Sequence, residues 1–459
     1  MKVAFISLGC DKNTVDTEMM LGMLNDAGHE LVYEEEEADA VVINTCAFIL
    51  DAKKESIDNI LRVGELKREG KVKYIIVTGC LGQRYTDEIK EDIPEVDAIV
   101  GIQSFDKIIE VIEDLDNKET VAQDKTDALA AQDDKTAPIV ELAPLNEKPI
   151  HGKKRLLTTP IHYAYLKIAE GCSKGCTYCI IPSLRGTYRS VPKEALIKEA
   201  EDLANRGVKE LILVAQETTV YGTDIYGKKV LPDLIRGLAA IEGIEHIRLL
   251  YCYPEEIDDE LIELMKSEPK LYHYLDMPIQ HASDKILKSM GRKATEAGLR
   301  ELIGKLRKEI PDIVVRTTLI SGFPGETISD YLTLKRFVKD MRFDRLGVFA
   351  YSEEEGTIAA KMPHKKPQFV KEYRKNAIMK LQRDIIYAAN EAMKGSELDV
   401  VIQGRLPEDE VYVARSYRDA PDVDGNVFIQ TDREFISGDN IRVKITQAAG
   451  YDLIAVPVS

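Results

Sequence analysis

The sequence predicts an α/β protein in three parts: an N-terminal doubly wound parallel-sheet domain, a central partial (βα)6 barrel and a small C-terminal all-β barrel. Three observations carry this. Short apolar runs alternate with amphipathic stretches over residues 1–115 and again from 158, the pattern of parallel strands covered by helices. Roughly the last 65 residues instead alternate apolar and polar positions between Gly, Pro and Asp turns. A chain of 459 residues has room for about three domains at ~150 residues each.

In the first part, residues 1–115, strands are expected at Val3–Leu8, Ala40–Asn44, Tyr74–Thr78 and Ala98–Val100. Helices fall near Asp16–Ala27, over Ala52–Arg68 (Ile57, Ile60, Leu61 and Leu66 on one side), near Thr86–Asp92 and from Ser104. One cysteine sits just past each of the first three strands: Cys10, Cys46 and Cys80. Parallel α/β sheets gather ligand sites at the carboxyl ends of their strands. A lone cysteine reads best as a small buried hydrophobe. Three at one topological position read better as ligands of a shared iron–sulfur cluster.

Residues 116–157 change character. Asp116–Lys135 has no aromatic residue and prolines follow at 138, 144 and 149, which reads as a linker or mobile insertion. From 158 to 394 the alternation resumes, with strands expected at His162–Ala169, Glu210–Val214, His246–Leu250, His273–Asp276, Val314–Leu319 and Arg345–Ala350. Helices lie between them near Lys193–Asn205, Pro232–Ala240, Asp258–Lys266, Glu296–Lys308 and Ser329–Asp340. Barrels of this type place their chemistry at the carboxyl ends of the strands. Directly after the first strand comes Gly171-Cys172-Ser173-Lys174-Gly175-Cys176-Thr177-Tyr178-Cys179. Three thiolates on a cubic four-iron cluster leave one iron open to a small ligand. A structural zinc loop is the alternative, but such sites usually pair two Cys-x-x-Cys knuckles, and no second knuckle follows. The seventh cysteine, Cys252, has no partner spacing and reads as packing, and His281 as a hydrogen-bonded structural histidine.

A polar helix near Gln368–Met393 leads to residues 395–459, with strands expected at Leu398–Gln403, Val411–Ser416, Asn426–Thr431, Asn440–Gln447 and Asp452–Val456. Apolar residues make up 44% of the chain, ordinary for a globular protein. No run of ~18 apolar residues predicts a membrane span. The opening Met1–Leu8 turns polar too soon for a signal peptide, and an odd number of cysteines, seven, points to a reducing cytoplasm. The net charge is −17, and residues 396–459 alone carry 6 Arg and Lys against 12 Asp and Glu. That balance speaks against nucleic acid as the direct substrate and suits a basic partner.

Cys-x-x-x-Cys-x-x-Cys with Tyr178 before its last cysteine resembles the signature of the radical S-adenosylmethionine (SAM) enzymes. The resemblance implies that Cys172, Cys176 and Cys179 hold a 4Fe-4S cluster whose open iron binds SAM, cleaved by one electron to a hydrogen-abstracting radical. It also implies SAM contacts from Tyr178, from Gln216 and Glu217 (where Ala215-Gln216 replaces the usual glycine pair), and from Gly322, Gly325 and Glu326 in Gly322-Phe323-Pro324-Gly325-Glu326. With the Cys10, Cys46 and Cys80 triad ahead of it and a TRAM-like barrel behind it, nearly the whole chain resembles the methylthiotransferases. Such enzymes use two 4Fe-4S clusters and two SAM, one as radical source and one as methyl donor. Ser7–Asn13 (with Asp11 in place of a proline), Asn44–Ile49, Asp276–Ser283 and Asp419–Gly425 resemble the RimO branch. That branch acts on an aspartate of small-subunit ribosomal protein twelve, giving 3-methylthioaspartate, with an electron donor and a sulfur donor as further partners. Methylthiolation of a transfer-RNA adenosine is the near rival, and a non-catalytic iron–sulfur carrier the distant one.

Overall fold

The computed structural model describes residues 1–124, 137–406 and 411–458. The chain forms two compact units. Residues 1–158 with 169–173 and 180–191 make the first; residues 159–168 with 174–179 and 192–459 make the second.

The first unit is built on a six-stranded, all-parallel sheet: β1 (Lys2–Ser7), β2 (Glu30–Leu31), β3 (Ala40–Thr45), β4 (Tyr74–Thr78), β5 (Ala98–Val100) and β6 (Ile139–Glu141), in the order 2-1-3-4-5-6. Strand β3 is buried at every position, as a central parallel strand covered on both faces must be. The order reverses direction between β1 and β3, a switch point where the loops splay and leave a crevice. The segment expected to be a linker has structure at both ends. A helix runs over Ile108–Asp124, and β6 pairs with β5 in register Ile99↔Val140. Ile139 and Val140 form a short apolar run within a polar stretch, enough for an edge strand but too brief for periodicity to reveal. Residues 125–136 lie outside the described residues.

In the second unit six parallel strands form an open sheet in the order 14-13-12-11-10-7. They are β7 (Tyr163–Lys167), β10 (Glu210–Val214), β11 (His246–Leu249), β12 (Leu271–Asp276), β13 (Val314–Ser321) and β14 (Arg345–Ala350); a two-stranded ribbon, β8 (Ala169–Glu170) with β9 (Arg189–Ser190), belongs to the first unit. The partial barrel is present as expected. Some of its helices start on side-chain caps: the Asp258 side chain accepts from the Leu261 N–H at 3.0 Å, and Thr327 with Asp330 forms a capping box.

The last five strands, β15 (Glu397–Arg405), β16 (Val411–Ser416), β17 (Val427–Gln430), β18 (Asn440–Ala449) and β19 (Asp452–Pro457), close into a barrel in the order 15-16-17-19-18. Val400, Ile402, Tyr412, Ala414, Val427, Ile429, Val443 and Ile445 fill it from alternate positions. Buried ion pairs bind this barrel to the amino ends of the larger one. Glu210 of β10 accepts from Arg248 Nε at 2.8 Å and from Arg415 Nη2 at 2.5 Å. Arg345 pairs with Asp419, and Tyr274 Oη donates to Asp424 Oδ2 at 2.6 Å.

Burial works to raise the Glu210 carboxyl, but Arg415 and Arg248 overcome it and hold it at about 2. Being depressed, it stabilises the fold above the ordinary carboxylate pKa, and that contribution fades as pH falls from about 4.3 toward 2. Glu210→Gln should lower the unfolding free energy by about 3–5 kcal/mol, because two arginines lose their buried partner. It should also flatten the acid limb of denaturation midpoint against pH. Equal midpoints in variant and wild type would refute this.

Candidate functional site

Three loops at the carboxyl edge of the first sheet bring Cys10, Cys46 and Cys80 together, and local chemistry explains how. Asn13, at the start of the helix Asp11–Asp26, donates to the carbonyls of Leu8 (2.8 Å) and Thr45 (3.0 Å), stitching the loop after β1 to the loop after β3. Asn44 Nδ2 returns the tie to Asn13 O at 3.0 Å. Thr45 Oγ1 donates to Thr78 O at 2.5 Å and accepts from Leu81 N–H at 3.2 Å, joining the third loop. Two glycines permit this closeness. At Gly9 (φ +99°) a Cβ would stand 2.9 Å from Cys46 Cβ, and at Gly79 (φ +86°) 2.4 Å from Asn44 Oδ1. Cys46 and Cys80 are buried, and Cys10 is partly exposed.

Electrostatics ties the three sulfurs to one another. The Cys46 thiol is pushed up to about 12, by burial first and then by Cys80, with Cys10 adding to it. Burial raises Cys80 as well, while Arg185 acts against it. Arg185 is 1% exposed; its Nη1 donates to both Glu170 oxygens at 3.0 Å, its Nη2 to Asn13 Oδ1, and Asp16 lies 3.4 Å away. Three thiols, two of them buried, beside a fixed cation suit a soft, thiolate-bound iron–sulfur core, which needs deprotonated ligands and leaves negative charge to be balanced. Among the described residues no three His, Cys, Asp or Glu gather round a point that would hold one metal ion. The ligands of a multi-iron core stand further apart, each on its own iron.

The second cysteine loop runs through both units. In the first, Cys172 N–H donates to Gly186 O at 3.1 Å, and a Cβ on Gly171 (φ +76°) would strike Thr187 O at 2.1 Å. In the second, Thr177 is held at both backbone ends: its N–H donates to Met290 O (3.0 Å) and its carbonyl accepts from Ala359 N–H (2.8 Å). Cys179 N–H donates to Cys176 O at 3.1 Å, and Tyr253 Oη lies 3.2 Å from Cys176 Sγ. Arg292 covers the Tyr253 ring at 4.1 Å and is forked to Glu255 by two 3.0 Å bonds.

Around this face stand the other expected residues. The Tyr178 ring meets Phe323 edge-on at 6.5 Å. Gln216 and Glu217 follow β10. Glu217 is buried and its carboxyl is pushed up to about 7 by burial. Its Oε1 accepts from Thr219, while Oε2 has no hydrogen bond and only Lys174 Nζ at 3.8 Å. In the Gly322–Glu326 turn the Glu326 carboxylate is engaged by Gly322 N–H (2.7 Å), by Arg374 and by His281 Nε2 at 3.5 Å. A Cβ on Gly322 would meet Lys371 Cγ at 2.5 Å, whereas Gly325 has open space. His281 Nδ1 accepts from Ser283 N–H at 2.9 Å, and Cys252 is fully buried. Arg185, Tyr253 and Arg292 were not singled out from the sequence. Arg185 follows Cys179 by six residues, and a charged side chain directly after the mostly apolar stretch Ile180–Leu184 was the available signal.

Residues 2–101 match the Uncharacterized protein family UPF0004, residues 166–338 the Radical SAM superfamily and residues 395–458 the TRAM domain. The ribosomal protein uS12 methylthiotransferase RimO of Lachnoclostridium phytofermentans is 54% identical over 99% of both chains. That of Acetivibrio thermocellus is 48% identical over 99% of this chain and 97% of its own. The chain belongs to the RimO methylthiotransferase family. It is a radical SAM enzyme whose cofactors are SAM and iron–sulfur clusters. Among solved structures, the radical SAM methyltransferase TsrM of Kitasatospora setae, with cobalamin and a [4Fe-4S] cluster bound, shares the fold at TM-score 0.53. That match has 14% identity and covers 78% of this chain and 76% of that one.

Gly9→Ala is expected to displace Cys46 and cost the first unit its iron. Iron and sulfide per chain after anaerobic reconstitution should fall toward half the wild-type value; full iron content would contradict the stitched-loop account.

Proposed function

We propose that the chain replaces a C–H hydrogen on the β-carbon of an aspartate in ribosomal protein uS12 with a methylthio group, giving 3-methylthioaspartate. The observation that carries this is the meeting of Cys10, Cys46 and Cys80 beside Arg185, in a chain that also has the Cys172, Cys176 and Cys179 loop. When bound, the two clusters and SAM supply a hydrogen-abstracting radical, a sulfur and a methyl group. Cys172, Cys176 and Cys179 hold the SAM-binding cluster; Cys10, Cys46 and Cys80 hold the one that delivers sulfur. Arg185 balances the charge of the second set, and Asn13 keeps its loops in register.

Glu217 is the best-supported SAM contact. A buried carboxyl held near 7, with an oxygen lacking a hydrogen bond, suits a ligand ammonium group. Glu326, with its carboxylate engaged inside the turn, supports Gly322–Gly325 rather than meeting the ligand itself. Tyr178, Gln216 and Gly325 complete the surroundings.

We assign residues 1–115 to the sulfur-delivering domain, 158–394 to the radical barrel and 395–459 to docking of the substrate. The acidic last domain complements a basic ribosomal protein and would repel RNA phosphates, which sets transfer RNA aside. A ribosomal substrate places the enzyme in the cytoplasm, with a separate electron donor and sulfur donor.

Two variants separate the clusters. Cys10→Ala should keep reductive SAM cleavage and lose methylthiolation of uS12, read by mass spectrometry of the product; Cys172→Ala should lose both. Methylthiolation surviving in Cys10→Ala would sink the proposal. The Glu217 carboxyl ionises as pH rises through about 7, and only the ionised form attracts an ammonium. SAM should therefore bind more tightly at pH 7.5 than at pH 6. Glu217→Gln should weaken binding and abolish that rise; a variant keeping the wild-type pH profile removes Glu217 from the SAM site.

A further inference from the structure

Radical formation consumes one electron per SAM, so a carrier must approach the cluster loop from outside. One surface segment is joined directly to that loop. The one-turn helix Ala359–Lys361 donates from Ala359 N–H to the carbonyl of Thr177, which lies between Cys176 and Cys179. Ala359 is buried with Phe323, Tyr351, Ile286 and Met290, and Tyr178 and Met362 pack against the same cluster. The chain then runs outward over Met362–Pro367, held by Gly325 N–H donating to His364 O at 3.2 Å and stiffened by Pro363 and Pro367.

The chemistry of this segment opposes that of the whole chain. Residues 356–371 contain Lys361, Lys365, Lys366 and Lys371 and no Asp or Glu, between Glu353–Glu355 on one side and Glu372 on the other, in a protein of net charge −17. Lys371 turns inward to Tyr351 O at 2.8 Å, and Lys365 pairs with Glu353. Lys361, His364 and Lys365 are exposed and Lys366 is half-buried. Two large apolar side chains flank them in the open, Ile358 at 63% and Phe369 at 74% exposure. A basic ribosomal protein is repelled by such a strip, whereas an acidic partner is attracted. A small apolar contact ringed by complementary charge fits the brief, low-area complexes of electron-transfer proteins.

We propose that Ile358, Lys361, Lys365, Lys366 and Phe369 form the docking surface for an acidic one-electron carrier protein, resting on the assignment of the Cys172–Cys179 loop to the SAM-binding cluster. The step is the transfer of one electron from the reduced carrier to the iron–sulfur centre of that loop. The carrier is oxidised, the centre is reduced, and no bond forms or breaks.

The test uses the full chain and an acidic flavodoxin as probe. The combined variant Lys361→Glu, Lys365→Glu, Lys366→Glu should weaken flavodoxin binding by roughly tenfold or more at low salt. The wild-type affinity should fall as salt rises. Lys→Arg at the same positions should restore binding. Dithionite reaches the centre without docking, so dithionite-driven SAM cleavage should match wild type. Unchanged flavodoxin affinity overturns the proposal, and so does a variant that loses uS12 binding while keeping flavodoxin. A wild type that cleaves no SAM with dithionite overturns instead the assignment of the loop.

Discussion

Much of the first unit turns on one buried cation. Arg185 belongs to the short helix Ile181–Arg185, yet its guanidinium reaches Asn13 and Asp16 of the first helix and Glu170 of the β8–β9 ribbon. A charge this far from water is tolerable only with partners on every side. Those partners are also the framework of the Cys10 and Cys80 sulfurs. The arrangement works in both directions. The carboxylates keep the arginine in place, and the arginine works against the upward push that burial gives the Cys80 thiol. Sequence positions 13, 16, 170 and 185 are thus one electrostatic unit.

That unit explains what sequence could and could not disclose. The cysteines were legible because parallel topology is: a residue just past each strand end must come to the same edge, whatever lies between. The Cys172–Cys179 loop stands out by its spacing, and its radical role is what the resemblance to the SAM enzymes implies. Arg185 has no such rule, since its partners come from two other segments of the chain and share no periodicity with it. Strand β6 escaped for another reason. Three residues carry too little alternation to stand out from the polar stretch around them, and the strand exists because β5 offers an open edge. The turn Gly322–Glu326 reads from sequence equally as a ligand turn or as a tight turn, and the packing within it accounts for two of its residues. Gly322 is small because Lys371 lies against it, and Glu326 faces Arg374.

The two cysteine sites also differ in how they are held. Side-chain amides and hydroxyls knit the Cys10, Cys46 and Cys80 loops into a rigid edge. The Cys176–Cys179 stretch is fixed chiefly through the backbone of Thr177 and by stacked groups, Arg292 over Tyr253 beside Cys176. Tyr253 Oη, 3.2 Å from Cys176 Sγ, adds a side-chain contact to this backbone anchoring.

The ion pairs joining the small barrel to the amino ends of β10, β11 and β14 bear on selectivity. Glu210, Arg248, Arg345, Arg415 and Asp419 are all buried or nearly so, and a barrel bolted down in this way cannot swing on a tether. If that barrel grips the substrate, it acts as a ruler. The gap between grip and radical is then set by the length of the partial barrel's own strands. The fold itself fixes that length, as a clamped tool post fixes where a lathe can cut.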